Sequence, residues 1–97
     1  MVEFDFDGTV IEWRGPAPYH FMRLPGWVAD EVRELARAVT YGWGVIPVEA
    51  VTGATTWTTS LFPRDGGYLL PVKDAVRAAE SIGLGDSIGV TLRIRGL

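Results

Sequence analysis

Ninety-seven residues, 47% hydrophobic and 22% charged, are too apolar for disorder and sit near the lower limit for one unaided core. The absence of cysteine excludes disulfides and thiolate metal sites, and one histidine excludes a multi-histidine centre; carboxylate sites stay open, and no metal or cofactor is assigned. A net charge of −3 weighs against a nucleic-acid partner, and no apolar run approaches the roughly 20 residues that span a bilayer.

Residues 2–13 alternate as a strand. Val2, Phe4 and Phe6 share one face, Ile11 and Trp13 the other, so a bulge is expected at Gly8. The segment opens Met1-Val2-Glu3-Phe4-Asp5, acidic where a secretory signal would be basic, and a cytoplasmic protein is the expectation. Gly15-Pro16-Ala17-Pro18 reads as a loop, and Tyr19 to Leu24 as a second strand stopped by Pro25. From Trp27 the period becomes helical. Val28, Val32, Leu35, Ala36 and Val39 form the apolar stripe, with Asp30, Glu31, Arg33, Glu34 and Arg37 left for water.

A third strand is expected after Tyr41-Gly42-Trp43-Gly44 and through Val51, with Pro47 marking an edge or a bulge. Thr52-Gly53-Ala54 reads as a tight turn into a fourth strand, Thr55 to Phe62, on which Trp57 and Leu61 share a face. Pro63-Arg64-Asp65-Gly66-Gly67 reads as a hairpin loop and Tyr68 to Leu70 as a fifth strand. Pro71 suits the first position of a helix that aligns Val72, Val76 and Ala79 and stops at Gly83 and Gly85. Ile88, Val90, Leu92 and Ile94 then give the clearest period of two in the chain.

About six short strands, mostly hairpin-connected, with two short α-helices in crossovers point to a mainly β fold. The expected form is a small closed or pseudo-closed antiparallel β-barrel, a single domain over residues 1–97. No internal repeat is visible. Several pieces together carry a resemblance: Phe6-x-Gly8, Pro18-Tyr19-x-Phe21-x-x-Leu24-Pro25, Trp43-Gly44, Thr59-Ser60-Leu61-Phe62-Pro63, Gly67-Tyr68-x-Leu70-Pro71-Val72-Lys73, Val76-Arg77 and Gly83-Leu84-Gly85-Asp86. Their order and spacing resemble the prokaryotic domain of unknown function numbered nineteen-oh-five, from Phe4 to Arg95. That resemblance implies a small barrel with crossover helices, near the double-split barrels of bacterial transition-state regulators. Tyr19 departs from the tryptophan expected in relatives. The resemblance implies no activity, so no catalytic residue is carried over.

Asp5-Phe6-Asp7-Gly8-Thr9 also matches the DxDGT signature of haloacid-dehalogenase-type phosphatases. That chemistry needs the motif at the end of a buried parallel strand in a doubly wound sheet, and the hairpin-connected pattern here supplies neither. Asp5 and Asp7 are therefore read as outward-facing strand residues.

The candidate site is cationic. Lys73 and Arg77 are four residues apart on the expected helix, where like charges repel and the helix dipole disfavours Lys73. An anion at the helix start would relieve both, with Arg64, Thr59 and Ser60 approaching from the adjoining hairpin. An ordinary charge ladder from Arg77 to Asp74 and Glu80 explains the same placement without a ligand. The tryptophans Trp13, Trp27, Trp43 and Trp57 are read as core or pocket wall, His20 as structural, and Arg23, Arg93 and Arg95 as solvated. The functional expectation is a non-enzymatic binding module for a small anionic or polar ligand or a protein partner. The alternatives are nucleic-acid binding, by likeness of fold, and the phosphatase reading.

Overall fold

A computed structural model describes residues 2–13, 19–39 and 45–95. In chain order these form β1 (Glu3–Trp13), β2 (Tyr19–Arg23), α1 (Gly26–Val39), β3 (Ile46–Thr52), β4 (Thr55–Arg64), β5 (Gly67–Pro71), α2 (Asp74–Glu80) and β6 (Ser87–Ile94). Every pairing is antiparallel, and the strands close in the order β1-β2-β5-β4-β3-β6. The sequence thus folds as the expected six-stranded barrel with two helices. The loop expected at 15–18 and the segment at 41–44, with Trp43, lie outside the described residues.

The two long strands make closure possible. β1 pairs with β6 over Glu3–Thr9 and with β2 from Val10 onward. β4 likewise pairs with β3 over Thr55–Leu61 and with β5 from Phe62 onward. Each long strand leaves one sheet and enters the other, which turns two sheets into one barrel.

A second regularity follows that the sequence conceals. The chain reads β-β-α-β twice, long strand, short strand, helix, strand. Exchanging β1 with β4, β2 with β5 and β3 with β6 leaves the cyclic strand order unchanged. The barrel is thus a structural duplication, although no internal repeat survives in the residues.

Alternate side chains fill the interior, as the period of two requires. Phe6 and Val10 of β1, Met22 of β2, Leu70 of β5, Trp57 and Leu61 of β4, Val48 and Ala50 of β3, and Val90 and Leu92 of β6 all belong to one buried cluster. The amphipathic α1 adds Val28, Ala29, Val32 and Ala36 to it, and α2 adds Val76. The helices sit at opposite ends of β4. Arg33 of α1 donates to Gly66 O beyond the last residue of β4, while Glu80 of α2 accepts from the Thr55 hydroxyl at its first, 2.6 Å away.

Local details differ from expectation in ways that packing explains. There is no bulge at Gly8, because the β1–β6 register runs unbroken from Glu3↔Arg93 to Thr9↔Ser87. Gly8 faces inward, and a methyl there would collide with the Met22 side-chain end, so the missing side chain makes room for core. Pro47 causes no bulge either; it pairs with Ser60 just outside the β3–β6 ladder, where a missing N–H is tolerated. Pro71 does not open the helix but ends β5, paired with Phe21. Lys73 is the N-cap and makes no capping bond through its side chain. The helix stops at Ser81, which is left-handed (φ 54°), before either glycine. Gly83-Leu84-Gly85-Asp86 is instead a turn, with Asp86 Oδ2 accepting from Gly83 N at 2.7 Å, and it hydrogen-bonds back to Val10.

The expected five-residue hairpin loop narrows to Asp65-Gly66, because Pro63 and Arg64 remain in β4. Both turn residues have positive φ (49° and 78°), the two-residue turn that matches strand twist. Arg23 fastens this turn, donating to Arg64 O (3.1 Å) and Asp65 O (2.8 Å). Arg23→Ala should cost about 1 kcal/mol, seen as a lower urea midpoint at unchanged slope. An unchanged midpoint would show that the turn needs no fastening.

Candidate functional site

The outer face of β1, β6 and β3 is built in cross-strand rows. In the first, Glu3, Arg93 and Glu49 lie side by side. Arg93 Nη1 bonds Glu49 Oε1 at 2.6 Å and its Nε lies 3.6 Å from Glu3 Oε2. The Glu49 bond chiefly raises the Arg93 pKa, with burial opposing. A raised cation contributes its stability below the ordinary arginine range and loses it only as pH climbs through the still higher folded value. This row therefore holds its arginine charge through neutral and mildly alkaline pH.

The second row is Asp5, Thr91 and Val51, and the Thr91 hydroxyl donates to Asp5 Oδ1 at 2.6 Å. The third row pairs Asp7 with Gly89, and Gly53 lies next along the same line in the turn after β3. Two glycines side by side leave a gap where strand side chains would stand. The result is an open groove of about 400 Å³ lined by Asp5, Phe6, Asp7, Val51, Gly53, Gly89, Val90 and Thr91. Its floor is fixed: the buried Thr52 donates its hydroxyl to Gly89 O at 2.7 Å.

Electrostatics set what this groove can hold. Two carboxylates line it and, among the described residues, no basic one does. Glu80 adds a third at the rim, since a side chain at Gly53 would run into its carboxylate. Arg93, on the same face, is already engaged by Glu49 and Glu3. No three His, Asp or Glu among the described residues lie close enough together to hold one metal ion. The arrangement suits an organic cation, whose donors spread over several ångströms.

The cationic residues singled out from sequence lie elsewhere. Lys73 Nζ donates to Thr58 O at 2.6 Å. Arg77 pairs with Asp74 and donates from Nε to Val72 O at 3.4 Å, while Glu80 turns to Thr55 instead of joining a ladder. Ser60 is two residues from Thr58 on the same outward face of β4, and Thr59 faces the interior opposite Val48. Arg64 is six residues along β4 from Thr58, about 20 Å at ~3.3 Å per residue, and lies 3.8 Å from Asp65. The structure therefore brings Lys73, Arg77 and Ser60 to one side and leaves Arg64 at the far end.

Asp5 and Asp7 do face outward, as expected, on a strand whose neighbours are all antiparallel. The parallel-strand setting of the phosphatase signature is absent among the described residues. His20 Nδ1 is buried and has no hydrogen-bond partner among the described residues. Trp57 is core and bonds Pro71 O at 3.1 Å, whereas Trp27 is 56% exposed, so the two tryptophans whose side chains are described divide between roles. The groove escapes sequence reasoning because Gly53 and Gly89 become neighbours only through the β3–β6 register.

The fold and groove define a class: a closed six-stranded antiparallel barrel with an acidic depression on its outer wall. Residues 6–92 match the family model described as domain of unknown function (DUF1905), and the chain belongs to that family. No curated protein matches it. No helix among the described residues is long and apolar enough to cross a membrane.

Proposed function

We propose that the protein is a non-enzymatic binding module whose ligand is a small polar cation or a cationic group on a larger partner, held in the groove over β1, β6 and β3. The observation that carries this reading is the glycine-floored groove lined by Asp5 and Asp7, with no cation among the described lining residues to neutralise them. A carboxylate pair in an open groove attracts an ammonium or guanidinium and repels a phosphate backbone, which weighs against nucleic acid.

Calorimetric titration with a linear diamine and with a dicarboxylate of the same chain length tests the sign of the ligand. The diamine should bind, more weakly as salt rises, and Asp5→Asn with Asp7→Asn should weaken it about tenfold, ~1.4 kcal/mol. The anion reading, reduced to Lys73, Arg77 and Ser60, retains one point in its favour: exposed Lys73 has three N–H donors, and one is engaged, by Thr58 O. Binding of the dicarboxylate instead, abolished by Lys73→Glu with Arg77→Glu, would replace the cation proposal with that one.

A further inference from the structure

The backbone of β1 carries information that its side chains do not. Val10 N donates to Asp86 O and Val10 O accepts from Gly85 N; Val2 O accepts from Ile94 N. Even-numbered residues of β1 therefore aim their backbone groups at the β6 side. In an unbroken antiparallel ladder the alternate residues point the opposite way, so the N–H and C=O of Glu3, Asp5 and Asp7 face away from β6. β2 does not meet them, because its ladder with β1 begins only at Val10. Among the described residues none hydrogen-bonds to these groups. Among the described residues, then, residues 3–7 present an unpaired strand edge, which ends where the ladder with β2 takes over.

The duplication shows what a closed version looks like. On β4 the corresponding edge is capped, because Lys73, two residues after β5, donates its ammonium to Thr58 O. Two residues after β2, the same place is held by Pro25, which has no donor to offer. Among the described residues, one half of the barrel carries this capping bond and the other has no counterpart to it.

The free edge is also chemically polarised. Its outward side chains are Glu3, Asp5 and Asp7, the latter two lining the groove. Its inward side carries Phe4, against which Trp27 packs edge-to-face with ring centroids 6.3 Å apart, although Trp27 remains 56% exposed. An added strand would lay one set of side chains over acids and the other toward an aromatic shelf. Two copies of this edge would set acids against acids, which opposes self-pairing.

We infer that the β1 edge accepts an extended peptide segment of a protein partner, about five to seven residues long, with alternating basic and apolar side chains. The segment adds as a strand beside residues 3–7, its basic side chains crossing Asp5 and Asp7 toward the groove. This rests on the cation-binding reading of the groove and names the partner that brings the cation.

The test uses the intact chain and three synthetic seven-residue peptides: alternating lysine and valine, the same composition with the lysines blocked together, and the alternating peptide N-methylated at its central amides. Titration followed by amide NMR should show the alternating peptide binding, with shifts at residues 3–7. The blocked and methylated peptides should bind at least tenfold more weakly. Equal binding of the methylated peptide would overturn strand addition while leaving charge recognition standing. Binding of the diamine without any peptide would also overturn it, and would mean the acids merely guard the edge. Failure of diamine and peptides together would remove both readings. Sedimentation showing dimers formed through residues 3–7 would replace the peptide with a second copy.

Discussion

Leu70→Ala should lower stability by about 2–5 kcal/mol, among the largest effects of any single core truncation in this barrel. Leu70 is fully buried and pairs directly with Met22, also fully buried, at the contact between β2 and β5. These are the two short strands that the duplication interchanges, so their contact joins one half to the other. The neighbours have little freedom to collapse into the space. Met22 is fixed by the gap at Gly8 on one side and by its own strand on the other. For a domain of this size each kcal/mol moves the melting temperature by roughly 4–8 °C, so a fall of about 8–40 °C is expected by calorimetry. A fall of only a few degrees would mean the β2–β5 contact is peripheral and the halves are held together by β3 and β6.

What the residues reveal in advance, and what they hide, follows from how far each interaction reaches along the chain. Local signals were sufficient for β6, whose alternating Ile88, Val90, Leu92 and Ile94 face inward to varying depth, and for α1, whose stripe enters the core. Asp65-Gly66 announced its turn, although Pro63 disguised the strand continuing up to it. Pro71 misled for a physical reason. Proline suits a helix start and also the final strand position, where its missing N–H costs nothing, and propensity cannot separate the two. Gly8 misled because a glycine can signal a bulge or simply leave space, and only the register decides. The duplication and the groove were illegible altogether. Both depend on which strands adjoin, and the family resemblance, though right, named no residues for a site.

Gly89→Val should abolish binding in the groove while leaving stability unchanged or slightly higher. Gly89 lies on the outer face of β6, and its φ is not in the left-handed region, so a side chain meets no backbone strain. A Cβ there would sit 3.1 Å from Asp7 Oδ1, the end of an exposed side chain that can swing away. Valine also favours strand, by up to about 1 kcal/mol over glycine. Its methyl groups would fill the gap between Asp7 and Gly53, so a cation could no longer approach both carboxylates, and a loss of at least tenfold is expected. Gly53→Ala makes the contrasting control. Gly53 has φ 55°, where a Cβ costs roughly 1–2 kcal/mol, and the added methyl would also push Glu80 off its 2.6 Å bond with Thr55. The two substitutions narrow the same groove from opposite sides, one with strain and one without. Gly89→Val binding the diamine as tightly as the unsubstituted chain would place the ligand elsewhere, since no loss of folding could then be blamed.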